Sequence, residues 1–213
     1  MEWMQILSLT TTLFTIGMFM AGIPDCLIVL KTGSTENVMF LPFLMTNLNN
    51  ILWTSYGYLK SDPTIITVNA VGSFLQTCYM IVFMVYSPTR VQAFQRTVLA
   101  CVAMVSLYLY LSMYVGEINA IINQLGFVCS SVTVLMYISP LAEIVTVIQT
   151  KSTSSISLPL TISTLCASSL WVLYGTCVSD LYILVPNVPG VFSSLFRIFL
   201  LWKYKDAATK PLA

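Results

Sequence analysis

Histidine is absent from this 213-residue chain, and charge nearly so: only 8% of its residues are Asp, Glu, Lys or Arg. The first absence removes His-based acid–base catalysis and His metal ligation. The second removes the soluble globular class, whose members carry about 25% charged residues. The six cysteines are scattered with no C-x-x-C pair, and most fall in apolar runs, where they read as small packing residues. No Asn-x-Ser/Thr acceptor occurs. The net charge of +1 points to neither nucleic acid nor an acidic partner.

What remains is 57% hydrophobic and runs in long continuous stretches, the pattern of membrane-spanning helices rather than of a barrel. A spanning helix needs about 20 apolar residues. Seven segments qualify: 4–29, 39–59, 64–86, 97–115, 121–148, 159–178 and 182–204. The connections are short and leave no room for an extramembrane domain. Lys31, Arg90, Arg96, Lys151, Lys203, Lys205 and Lys210 fall in the first, third and fifth connections and the C-terminal tail. The other side holds Lys60 as its base, with Glu2, Asp62, Glu117 and Asp180. The positive-inside rule then puts the N-terminus outside (extracellular or lumenal) and the C-terminus in the cytoplasm. The first span has no cationic leader and reads as retained, not as a cleaved signal.

The chain also repeats itself. Residues 52–86 align without a gap on 170–204, at an offset of 118, with 11 identities in 35 positions. Leu52-Trp53-x-x-Tyr56-Gly57 returns as Leu170-Trp171-x-x-Tyr174-Gly175. Ser61-Asp62, Ile65, Asn69, Gly72, Phe74 and Tyr86 return as Ser179-Asp180, Ile183, Asn187, Gly190, Phe192 and Tyr204. Upstream, Pro24 pairs with Pro140 at offset 116 and Pro42 with Pro159 at 117. Spans 1–3 thus correspond to spans 5–7, and span 4 is unpaired. The expected fold is all-α, two parallel three-helix repeats joined by a linker helix: 1–89, 90–118, 119–205, then a tail at 206–213. Two parallel halves about an axis along the membrane normal usually enclose a substrate path, an arrangement already known for the family named below.

Helical rise places Trp53 about 9 Å from the outer end of its span, and Asn69 about 8 Å inside the next span from the same surface. Trp171 and Asn187 follow by symmetry, so the four are expected in one layer. A buried Asn must satisfy a donor and an acceptor, so each faces a partner or a wet cavity. Two indoles and two amides in an apolar cavity suit a sugar: indole stacks on the C–H face of a pyranose, and amides bridge its hydroxyls. The alternative is that the Asn residues tie helices together and the Trp residues anchor interfaces.

With these motifs the chain resembles the animal-type SWEET sugar transporters, over residues 5 to 205. The resemblance implies facilitated diffusion of sugar by alternating access and assembly as a homo-oligomer, a trimer, in the plasma or Golgi membrane. It implies that Asn69 and Asn187 bond the sugar, that Trp171 is an aromatic wall, and that Trp53 has a more variable role. Pro24, Pro42, Pro140 and Pro159 resemble an intracellular gate and hinge; Tyr56, Tyr174 and Asp180 resemble an extracellular gate. Asn49 and Ala167, four residues before the Trp pair, and Met20 and Leu135, about a turn before the first prolines, are expected to line the pocket. The bulk of Met20 and Leu135 favours a monosaccharide such as glucose.

Some features depart from close relatives. PQ-loop transporters carry Pro-Gln where this chain has Pro24-Asp25 and Pro140-Leu141. Asp25 and Glu143 are expected to pair with nearby bases, and Arg197 to snorkel or pair with an acid. No acid falls in the Trp/Asn layer, which favours a uniporter over a proton-coupled amino-acid carrier of the PQ-loop type. A seven-helix receptor or scaffold would lack the repeat. No enzyme, metal or cofactor site is expected; the partners are sugar and the bilayer.

Overall fold

The computed structural model describes residues 2–36 and 38–204. The secondary structure of these residues is helical: α1 (Glu2–Phe19), a 3₁₀ turn (Met20–Gly22), α2 (Ile23–Thr32), α3 (Phe40–Lys60), α4 (Pro63–Tyr86), α5 (Arg90–Tyr110) closed by a π turn (Leu111–Val115), α6 (Ile118–Met136), α7 (Ile138–Thr150), α8 (Leu158–Cys177) and α9 (Leu181–Lys203). Pairs α1/α2 and α6/α7 are broken single spans, so seven spans stand in a 3+1+3 order. Lys205 and Lys210, used in the charge argument, lie outside the described residues.

Six spans are long and apolar enough to cross a membrane on composition alone; α3 falls short. The reason is Asn47, Asn49 and Asn50 within it. The fourth span begins at Arg90, ahead of its apolar run. Gln92, Gln95 and Arg96 are good helix formers, so the helix outlasts the hydrophobic stretch.

Residues divide into two compact units: Thr12–Cys129, and the described part of 1–11 with 130–213. In the first unit α4 packs on both α3 and α2; in the second α9 packs on both α8 and α7. The third span of each triplet is therefore the one the other two rest on. Phe40, Leu44, Met80, Phe83 and Ala93 form a core in the first unit, with the Phe40 and Phe83 rings 5.2 Å apart. Ile144, Val147, Ile156 and Leu200 form one in the second. The linker helix α5 buries only Ala93 and is tied to α3 by the 2.7 Å Ser55–Tyr108 hydroxyl contact.

The offset of 118 extends through the whole triplet. Gly33 and Lys151 both take the left-handed conformation that ends α2 and α7, donating to Val29 and Val147 at 2.8 Å. Val38 and Ile156 both donate to Thr35 and Thr153 at 3.0 Å. Met39 and Ser157 both lead in extended form into α3 and α8. In this register Pro24 stands opposite Ala142, and Pro140 opposite Gly22. The proline pairs sit one or two residues out of equivalence, each inside the first turn of its helix, where a missing N–H costs nothing.

Candidate functional site: two matched turns and two helix breaks

The turn between α3 and α4 is built by four residue types, each for a reason. Ser61 adopts φ 53°, ending α3 in the left-handed region. Asp62 then caps α4, accepting from the Thr64 and Ile65 amides at 2.9 and 3.1 Å, while its own N–H donates to Gly57 at 2.9 Å. Gly57 lets α4 close in: a Cβ there would stand 2.9 Å from Ile65. Asn69, one turn after Ile65, donates its amide to the Ile65 carbonyl at 2.8 Å.

Most of these contacts recur between α8 and α9. Ser179 has φ 54°. Asp180 accepts from the Tyr182 amide at 3.0 Å and donates to Gly175 at 2.8 Å. A Cβ on Gly175 would meet the Leu184 nitrogen at 2.8 Å. Asn187 donates to Ile183 at 2.7 Å. The aromatic pairs match as well: Trp53 lies edge-on to Tyr56 at 5.4 Å and 84°, Trp171 to Tyr174 at 5.7 Å and 80°.

Two consequences follow for chemistry. Each Asn spends one N–H on its own helix, which pins the side chain, and makes no other hydrogen bond among the described residues. One N–H and the carbonyl oxygen remain, a donor and an acceptor side by side. Each Trp is oriented by a buried Tyr one turn on; Tyr56 is fully buried. Asp180 is a helix cap and serves the turn directly. Asn49 is half-buried and Ala167 buried, while Met20 and Leu135 stand about half exposed.

The opposite end of each triplet holds a break in the first span, and here unaligned features appear. The 3₁₀ turn frees the Phe19 carbonyl, which the Tyr79 hydroxyl takes up at 3.0 Å. The Phe19 ring sits over Gly72, where a Cβ would come within 2.5 Å of both the ring and the Asn50 amide. At the equivalent positions Tyr137 sits over Gly190 and contacts the Ser168 hydroxyl at 3.2 Å. The residue matching Tyr79 is Arg197. It reaches the Pro140 carbonyl at 3.5 Å and forms an ion pair with Glu143. The expectation that Glu143 and Arg197 each find an opposite charge is met by one contact, whereas Asp25, expected to pair with a base, is exposed and makes no ion pair among the described residues. Phe19 and Tyr137 stand at the repeat offset of 118, and that was the available signal for the break. It was hidden because one residue ends a helix and the other begins one.

Seven spans in a 3+1+3 order, with a turn motif and a helix break each made twice, define a multi-pass membrane transporter of the two-repeat kind. A family model described as "Sugar efflux transporter for intercellular exchange" matches residues 5–91 and again 123–209, the same offset of 118. The sugar transporter SWEET1 of Xenopus tropicalis is 44% identical over 204 residues, 96% of this chain and 95% of that protein. The human sugar transporter SWEET1 is 47% identical over 192 residues, 90% of this chain and 86% of that protein. A solved eukaryotic SWEET transporter superposes with a TM-score of 0.85 at 26% identity, covering 95% of this chain and 97% of that one. The chain belongs to the SWEET family, in its animal type, a family of transporters and not of enzymes.

Proposed function

We propose that this protein is a passive, bidirectional sugar uniporter that carries a monosaccharide such as glucose by alternating access. The observation that carries this reading is the matched pair of pinned asparagines. Asn69 and Asn187 each offer one donor and one acceptor, as a sugar hydroxyl requires, and the two indoles expected in the same layer have faces that suit the apolar side of a pyranose.

Passive transport is supported by where the carboxylates are spent. Asp62 and Asp180 are engaged as helix caps. Glu117 accepts from the Ala120 amide at 2.9 Å, and Glu143 is held by Arg197. A proton relay needs an acid that can take up and release a proton in the path; these four have fixed partners, and Asp25 stands exposed at the helix break, away from the expected Trp/Asn layer. On the charge distribution the Pro24 and Pro140 breaks face the cytoplasm, where they act as hinges, and the Tyr56, Tyr174 and Asp180 end faces outside. Trimer assembly and residence in the plasma or Golgi membrane rest on the family resemblance.

Counterflow uptake of labelled sugars in proteoliposomes tests this. Glucose should exchange at equal rates with and without a pH gradient. Amino-acid uptake driven by a pH gradient alone would overturn the reading. Sucrose exceeding glucose would overturn the monosaccharide assignment.

A further inference from the structure

Beside the Arg197–Glu143 pair, and wholly within the second unit, lies a cavity of about 430 Å³. That is within the range of roughly 300–1,000 Å³ typical of small-molecule sites. Tyr137, Glu143, Ser157, Thr164, Ser193 and Arg197 are among its walls. Arg197 is ten residues along α9 from Asn187, about 15 Å by helical rise, so this space is separate from the Trp/Asn turn.

The repeat supplies the argument that this lining is built and not incidental. Backbone and break are duplicated in the first unit. Glu143 is matched there by Asp25 and Thr164 by Thr46, yet Ser157, Ser193 and Arg197 are matched by Met39, Leu75 and Tyr79. The first copy of the frame is apolar at two of these three positions, and at the third its hydroxyl is spent on the Phe19 carbonyl. The second copy is polar at all three. Polar groups facing lipid-depth space are costly unless something bonds them.

The available groups define the ligand class. Thr164 and Ser193 donate their hydroxyl protons to Leu160 and Gly190, at 2.9 and 3.2 Å, leaving oxygen lone pairs. Arg197 lines the space with a side chain about 10% exposed. Glu143 supplies a carboxylate. Thr164, Ser193 and Glu143 therefore supply acceptors, and the Ser157 hydroxyl and Arg197 supply donors, in a site whose one cation is already neutralised. An anion would meet Glu143; a purely apolar ligand would leave the Ser157 hydroxyl and the open lone pairs of Thr164 and Ser193 unmet. A neutral polyol satisfies both, and the Tyr137 ring offers it an apolar face.

We propose that this cavity is a second sugar subsite, of the same substrate class as the Trp/Asn site and resting on that reading, at the helix-break end of the second unit only. Ser157→Met with Ser193→Leu installs the first unit's own residues in an equivalent frame. Half-saturation for glucose presented from the helix-break side should rise about fivefold, the worth of one neutral hydrogen bond, with no change from the other side. Unchanged half-saturation from both sides overturns the subsite. A direct arm places Thr164→Cys in an Asn187→Ala background and follows thiol modification at residue 164 by mass. Saturating glucose should slow it about fivefold by occupying the cavity. No protection by glucose, or protection by inorganic phosphate in its place, overturns the proposal. Wild-type glucose flux is the separating control: its absence defeats the sugar reading itself, whereas its presence without protection defeats only the subsite.

Discussion

The two triplets share a frame and differ in where they keep their polar groups. In the first, α3 and α4 are tied by a part-buried polar knot: the buried Asn47 donates to Thr77 at 3.1 Å and accepts from Ser73 at 2.7 Å. The equivalent residues in the second are Leu165, Val191 and Leu195. The second keeps its polarity a few residues away, in the Arg197–Glu143 pair and the hydroxyls beside it. The difference separates two jobs. Residues that set backbone geometry are held in both copies: Gly57/Gly175, Ser61/Ser179, Asp62/Asp180, Asn69/Asn187. Most residues that only fill or line space have drifted, and the drift gives each half its own character.

The largest effect should come from breaking the ion pair. Arg197→Met leaves Glu143, three-quarters buried, without its partner, whereas Arg197→Met with Glu143→Gln removes both charges. The single variant should lose about 3 kcal/mol and the double much less, seen as a deep fall in Tm in detergent for the single and partial recovery for the double. Tyr79→Phe in the first unit strands only a carbonyl and should cost about 1 kcal/mol. Equal losses for Arg197→Met and Tyr79→Phe would mean the two braces are the same device after all.

Next in size is the polar knot. Asn47→Leu strands the Ser73 hydroxyl, while Thr77 keeps its bond to the Ser73 carbonyl, and should cost about 1–2 kcal/mol. Adding Ser73→Val and Thr77→Leu completes the second unit's set and should restore most of that loss in the same Tm assay. No recovery would show that the two interiors are not interchangeable.

The caps should show the smallest and most even response. Asp62→Ala and Asp180→Ala should each cost about 1 kcal/mol, because each removes a side-chain cap from the start of its helix. Hydrogen exchange at the first turn of α4 and of α9 reads this locally.

The same division explains what could be read ahead of the structure. Spans and the 3+1+3 order were legible, because each rests on residues close in sequence or at one fixed offset; the repeat singled out Ser61-Asp62, Ser179-Asp180 and the two Asn, but not the caps, the left-handed Ser or the i−4 amide bonds they make. The Arg197–Glu143 pair was within reach only as an unassigned charge seeking a partner 54 residues away. The breaks were misleading. The four prolines suggested equivalence at offsets 116 and 117, but proline is tolerated anywhere in a helix's first turn, so its position floats. The true markers are Phe19 and Tyr137, which strike Gly72 and Gly190 from more than fifty residues away. The cavity was illegible for the same reason: its walls come from three helices and a loop, and each residue alone reads as an ordinary Ser or Thr in a span.

Equivalence of the two asparagines is the central claim, and matched substitutions test it most directly. Glucose counterflow in proteoliposomes should fall in Asn69→Ala and in Asn187→Ala alike, by about tenfold or more each, at unchanged protein insertion. Wild-type flux in both variants would contradict the account, and so would full loss in one with none in the other.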